Sequence, residues 1–397
     1  MGFHAFSSPY DWGRIAEFKA TAARVPGGMA DLSVGSPVDP VPQSVVDALV
    51  ASADAPNAHG YPVTAGTKEL KDAMAYWFRH LRGVDLDAVG ARAVPTVGSK
   101  EGVALMASLL HLGEGDVVVQ PRVSYPTYEI GTQIAGARVL KVDDVADVSS
   151  WEHEPGVRAV WVNSPCNPSG EVLSAAQLAG IVAAARRIGA VVLSDECYAL
   201  MDWRGTDAST AVESNEPVAA QAYCLTATPC ALSPQVCGGS ADGVLVLYSL
   251  SKQSNMAGYR TALVAGDAGL VAEMSDYRKQ IGQIIPGPVQ AAMAAGLRDV
   301  SAVHAQHECY RRRLSTLVEA LRAYGYDAAM PEGALYVWVR ALSGDCWKDM
   351  ASLARLGVVP SPGEFYAAPE YLRFAATATD AVIDLAAERL RQAGSER

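Results

Sequence analysis

Between residues 90 and 270, short runs that are apolar at every position alternate with longer stretches in which apolar residues recur every three or four places. The runs are Val117–Val119, Ala159–Val162, Ala190–Leu193, Val244–Leu247 and Thr261–Ala265. A strand with one wet face alternates apolar and polar residues. Unbroken apolar runs therefore predict strands covered on both faces, as in a mainly parallel sheet between helices. One intervening helix carries its own boundaries: Ser174-Ala-Ala-Gln177 has capping-box spacing ahead of the stripe Leu178, Ile181, Val182 and Ala185, and Gly189 suits the left-handed closing position. The pattern predicts one large α/β unit.

Past Pro286 and Pro288 the pattern changes. A helical stretch from Val289 to about Ala323 is predicted, with Arg311, Arg312 and Arg313 on its polar side and His304 and His307 as a surface pair. Leu335–Val339 and Tyr371–Ala375 read as strands, and helices are expected around Trp347–Leu356 and Ala381–Gln392. These pieces suit a smaller α+β domain. The expected division is an N-terminal arm at 1–40 associated with the small domain, a large domain at 41–288 and a small domain at 289–397. The arm, over its first 35 or so residues, is expected to have no strand ladder of its own, and 205–243, rich in Ala, Ser, Pro and Gly, reads as a long loop or insertion between two core strands.

Composition narrows the function classes. Of 397 residues, 50% are hydrophobic and 19% charged, which is a globular balance, and the net charge of −11 argues against nucleic acid or an anionic membrane as partner. Seven cysteines form no C-x-x-C pair, and those of the 205–243 loop lack a zinc spacing. They read as structural thiols in a reduced, cytoplasmic setting with no metal site. The start lacks a signal pattern, and no apolar run approaches a bilayer span.

Four segments that follow apolar runs carry candidate chemistry. In Ser249-Leu-Ser-Lys252, the lysine stands where a buried strand ends, the edge at which parallel sheets place their sites, and partial desolvation there would make its amine nucleophilic. Arg260 can grip a phosphate or carboxylate. Asp195, directly after an all-apolar strand, needs a cation or donors if buried, and Tyr198 lies one turn on. The turn Asn163-Ser-Pro-Cys-Asn-Pro-Ser-Gly170 can aim the Asn167 amide, while Gly98-Ser99-Lys100 opens a helix whose free N–H groups suit a phosphate. Tyr125 can stack on a planar ring. Each has an ordinary alternative, such as a solvated lysine, a helix cap or a packing aromatic. Together they supply what pyridoxal phosphate needs: an amine, an anion for the ring nitrogen, donors for the ring oxygen and a phosphate cup.

Their order and spacing resemble the class I/II aminotransferases of pyridoxal-phosphate fold type I, from Asp31-Leu-Ser-Val-Gly-Ser-Pro37 to Arg373. The resemblance implies that fold: a large domain with a mainly parallel sheet, plus a smaller α+β domain. It implies that Lys252 carries the cofactor, Asp195 pairs with its pyridine nitrogen, Tyr198 and Asn167 meet its ring oxygen and Tyr125 stacks on the ring. Ser99, Lys100 (through backbone amides), Ser249 and Arg260 match the phosphate cup. Tyr61 is implied to reach the neighbouring subunit's site in a homodimer. Arg373 matches the grip on the substrate carboxylate, with Gly35 lining the same pocket. Ser164 and Ser169 replace an asparagine and a threonine usual in the family's asparagine turn.

Within the family, Val236-Cys-Gly-Gly239, Pro362-Gly-Glu-Phe-Tyr366 and the segments around Gly35 and Lys252 are most similar to actinobacterial succinyldiaminopimelate aminotransferases. The implied reaction moves an amino group from glutamate to N-succinyl-2-amino-6-oxopimelate, leaving 2-oxoglutarate. Other acceptors (aspartate-, alanine-, acetylornithine- or aromatic-type), a carbon–sulfur lyase activity and a non-catalytic sensor module remain open.

Overall fold

The structure is a computed structural model describing residues 6, 10–56, 58–204 and 228–396. Its strands, in chain order, are β1 (Ala30–Asp31), β2 (Ala91–Val97), β3 (Val117–Pro121), β4 (Arg138–Val142), β5 (Val157–Asn163), β6 (Val191–Asp195), β7 (Val244–Ser249), β8 (Thr261–Asp267), β9 (Tyr336–Arg340), β10 (Val358–Val359), β11 (Ser361–Pro362) and β12 (Tyr371–Ala375).

A seven-stranded sheet has the order β2-β8-β7-β6-β5-β3-β4. The pairings from β4 through β7 are parallel, and β8 runs antiparallel to both of its neighbours. Every residue of β7 is buried, as its unbroken apolar pattern predicts. The helix Ala175–Arg187 has the expected capping box, and Gly189 adopts φ 69° just beyond it. One hydrophobic cluster fills the side of the sheet backed by Trp77, Trp151 and Ile181, and another the opposite side around Tyr128, Trp161 and Met274.

The reversed direction of β8 matters for the site. Parallel strands present their C-terminal ends at one edge, whereas β8 starts there, so Arg260, immediately before it, reaches the edge where β6 and β7 finish.

A second core lies around the antiparallel sheet β11-β12-β9 and the helices Cys346–Arg355 and Asp380–Ser395. Ile15, Ala22 and Leu32 contribute to it.

Three expectations are corrected here. The stretch from Val289 is two helices, Gly287–Arg298 and Val300–Tyr324, because Asp299 leaves helical geometry (ψ 76°) and its carboxylate caps the Ala302 amide at 3.0 Å. Arg313 is not on a polar face: its side chain is 4% exposed and is gripped by both Asp39 oxygens at 2.7 Å and by Asp380 at 2.6 Å. His307 is buried against the Trp203 ring, and burial lowers its pKa, so His304 and His307 are not a surface pair. The N-terminal stretch contributes one short strand, β1, which pairs in parallel with β10 from the C-terminal part of the chain.

Residues 205–227, including Cys224, lie outside the described residues. The remainder of the predicted loop contains a short helix, Pro234–Cys237, held by Arg186 donating to Cys237 O and Ser240 O. Cys230 and Cys237 are buried free thiols. Among the described residues, no helix is long and apolar enough to cross a membrane, and no acidic, His or Cys cluster could hold a metal.

Candidate active site

A cavity of about 260 Å³ opens at the C-terminal edge of the parallel strands. Every residue singled out from the sequence lines it except Tyr61.

Lys252 is presented by a single turn, Leu250–Gln253, that begins where β7 stops. Ser249 caps this turn by accepting from the Ser251 amide at 3.1 Å. The lysine Nζ donates to Gly35 O. Burial draws its pKa down from 10.5 to about 8, and the guanidinium charges of Arg373 and Arg260 push the same way. A neutral, nucleophilic amine is therefore accessible near neutral pH.

Asp195, the last residue of β6, is buried. Its Oδ2 accepts from the Tyr128 hydroxyl at 2.7 Å and its Oδ1 from the Cys197 amide at 3.1 Å. Burial raises its pKa against the pull of these donors, and among the described residues no cation pairs with it. A buried carboxylate in that position is costly until a cationic ligand arrives.

The neighbouring strand β5 ends in Asn163, in register with Asp195. Asn163 Nδ2 donates to Asp195 O at 3.0 Å, and its Oδ1 accepts from the Asn167 amide at 2.8 Å. The turn that carries Asn167 is thus tied to the strand that carries the carboxylate. Asn167 Oδ1 in turn accepts from Arg373 Nη1 at 2.8 Å.

Arg373 projects from β12 and is buried. Its guanidinium lies 4.0 Å from the Tyr336 ring centroid and 4.8 Å from that of Tyr366, and Nη2 donates to Ser33 O at 2.9 Å. Nε is buried without a hydrogen-bond partner among the described residues. Tyr198 shares a 2.7 Å hydrogen bond with the Tyr336 hydroxyl. Gly35 passes so close to Tyr336 that a Cβ there would overlap the phenol.

Ser99 opens the helix Ser99–Leu109, and its preceding cap Gly98 has φ 80°. A Cβ at Gly98 would collide with the Arg260 guanidinium, so glycine satisfies both the backbone angle and the close approach. Arg260 itself is left-handed at φ 57°, and Nη1 donates to Ala257 O at 2.7 Å. Tyr125 meets Tyr128 edge to face at 5.8 Å, and Tyr128 stacks on Trp161 at 4.5 Å. Lys100 is exposed, its ammonium 5.5 Å from the Tyr10 ring centroid. Tyr61 is fully exposed and stands apart from this cavity.

Sequence reasoning missed Tyr128, Asn163, Tyr336, Tyr366, Tyr10 and Trp12, which line or brace the site. Tyr128 and Asn163 fall within the very segments that drew attention. Tyr366 closes the motif Pro362-Gly-Glu-Phe-Tyr366 but is given no role there, and Tyr336, Tyr10 and Trp12 come from stretches with no apolar strand ahead of them to flag an edge.

The family model for aminotransferase class I and II matches residues 28–390. The chain belongs to the class I and II aminotransferases. It is 41% identical to a 4-dedimethylamino-4-oxo-anhydrotetracycline transaminase of Streptomyces rimosus, over 96% of this chain and 98% of the relative. It is 38% identical to a probable aminotransferase of Mycobacterium tuberculosis, over 98% and 86% respectively. The solved N-succinyldiaminopimelate aminotransferase of Mycobacterium tuberculosis superposes with a TM-score of 0.79 at 25% identity, covering 97% of this chain and 98% of that one.

The cofactor of this aminotransferase family is pyridoxal 5′-phosphate. Three features of the chain fit it: the buried Asp195 without a cationic partner among the described residues, the Arg260 guanidinium packed against Gly98 at the start of the helix Ser99–Leu109, and the desolvated Lys252.

Proposed function

We propose that this enzyme takes the amino group of glutamate and delivers it to an oxo acid, with Lys252, Asp195, Tyr198, Asn167, Tyr125, Ser99, the Lys100 backbone amide, Ser249 and Arg260 holding the cofactor. The observation that carries the reading is the meeting in one cavity of an amine whose pKa is drawn down to about 8, a buried carboxylate with no cation beside it among the described residues, and the buried Arg373 guanidinium. When bound, pyridoxal phosphate supplies an aldehyde that captures amines and a ring that accepts electrons from the substrate α-carbon. Asp195 favours a protonated ring nitrogen. Arg373 fixes the α-carboxylate, and Nζ of Lys252 removes the α-proton as general base and returns it to the other end of the transfer. Gly35 O, held against Nζ, keeps the amine near the reacting carbon. The working form is proposed as a homodimer, with Tyr61 reaching the partner's phosphate.

Two acceptors are supported by different observations. N-succinyl-2-amino-6-oxopimelate is supported by the motif resemblance and by the likeness to the mycobacterial enzyme named for that substrate. A carbonyl on a fused-ring skeleton is supported by the 41%-identical relative and by the aromatic mouth of the cavity.

The test is the visible absorption band of the purified holoenzyme. Glutamate should abolish the band, and the true acceptor should restore it. An unchanged band with glutamate would overturn the aminotransferase reading, and pyruvate released from cystathionine without added oxo acid would replace it with a lyase.

A further inference from the structure

Resting on the aminotransferase reading, we infer that Tyr10 and Trp12 form the side-chain subsite of the acceptor and select a planar aromatic group. Neither residue has a part in holding the cofactor, yet both line the cavity.

The two rings are fixed before any substrate arrives. Trp12 opens a short turn, Trp12–Ile15, capped by Asp11, whose Oδ1 accepts the Gly13 amide at 2.9 Å. Ile15, at the end of that turn, is buried in the second core. Arg14 pairs with Glu364, and its guanidinium lies 4.2 Å from the Trp347 ring centroid. Phe365, beside Glu364 and itself buried, meets Tyr10 edge-on at 5.7 Å and Trp12 at 5.3 Å. Tyr10 and Trp12 pack against each other at 5.7 Å with planes 78° apart. The result is a preset aromatic corner, with Tyr366 and Val34 on the same cavity.

Charge points the same way. Among the described residues Asp195 is the one carboxylate lining the cavity, so none of them at the mouth favours a cationic side chain. A long, flexible chain with distal carboxylates would need several cations there, and beyond the groups assigned to the cofactor and the α-carboxylate the described lining offers the Lys100 ammonium, which already lies 5.5 Å from the Tyr10 ring centroid. Arg14 is paired with Glu364, Lys19 is held by Asp31 at 2.8 Å, and Arg278 is buried against Glu101 at 2.7 Å. Rigid rings meeting at right angles offer a planar guest one face to stack on and one edge to abut, at little ordering cost.

The experiment measures binding of unreactive carboxylates to the holoenzyme by calorimetry: 3-(indol-3-yl)propionate against adipate. The expected preference for the indole is about tenfold or more. Trp12→Ala should collapse that ratio toward unity, whereas Trp12→Phe should keep most of it. A loss of packing alone would weaken both ligands and leave the ratio standing. Adipate binding as tightly as the indole, or a ratio unmoved in Trp12→Ala, overturns the subsite. Should Trp12→Ala fail to fold, Tyr10→Leu carries the same expectation. Loss of the band with glutamate is measured separately, so a failure of the aminotransferase reading is distinguishable from a failure of the subsite.

Discussion

A single lysine amine shows how placement changes chemistry. Lys252 titrates at about 8 instead of 10.5 because burial penalises its charged form. Capture of pyridoxal phosphate by the apoenzyme requires the neutral amine, so its rate should rise with pH through about 8 and level off above it. Stopped-flow absorbance would check this, and a midpoint near 10.5 would show an ordinary solvated lysine. Lys252→Ala should keep the cofactor without a covalent link while turnover falls by about 10⁴-fold. Near-normal kcat would remove the residue from the reaction. For Arg373→Ala, loss of a charge-assisted grip should raise KM for both substrates by about 10- to 100-fold. An unchanged KM would place the carboxylate elsewhere. The sequence flagged both residues, but not the tyrosines that flank Arg373, since nothing local in Tyr336 or Tyr366 marks them as ring faces for a guanidinium.

Among elements, the buried pair Arg82–Glu196 ties the catalytic edge to its support. Arg82 caps the helix Lys68–Leu81, and Nη2 donates to Glu196 at 2.7 Å with both side chains 1% exposed. Glu196 follows Asp195 directly and also accepts from the Ala231 amide at 2.8 Å. Removing one partner leaves a buried charge uncompensated, so Arg82→Met should cost about 3–5 kcal/mol in urea unfolding. The double variant Arg82→Met/Glu196→Leu should recover most of that loss. A single variant as stable as the parent would show that water reaches the pair. Arg313 bridges elements in the same way, joining Asp39, a few residues past Gly35, to Asp380. A run of three arginines on a helix looks solvated in sequence. Only the arrival of two carboxylates from distant segments makes the third one internal.

For the whole molecule, the exposed apolar side chains Val34, Val38, Tyr61 and Val63 flank the segment over the site and the loop carrying Tyr61. Burying them against a second copy would remove apolar surface from water. Light scattering should therefore give twice the chain mass of 41.7 kDa. Tyr61→Ala should weaken cofactor affinity while leaving the far-UV spectrum unchanged. A monomer at micromolar concentration, or unaltered affinity in the variant, would deny Tyr61 its role across the interface.

Local chemistry made much of this protein legible in its sequence. Apolar runs declared the strands because both faces of the sheet are covered, and the polar residues after the runs at 190–193 and 244–247 marked the edge where Asp195, Ser249 and Lys252 meet. Capping signals placed the helix Ala175–Arg187 because a cap is satisfied within a few residues of itself. Tertiary structure decided the rest. The antiparallel direction of β8 delivers Arg260, the N-terminal turn brings Tyr10 and Trp12 over the cavity, and the break at Asp299 divides one predicted helix into two. β8 also pairs with β2, Tyr10 and Trp12 seat against Phe365, and Asp299 accepts from Ser44 as well as from the nearby Ala302 amide, and the energy of contacts between such distant segments is absent from the pattern of either segment alone.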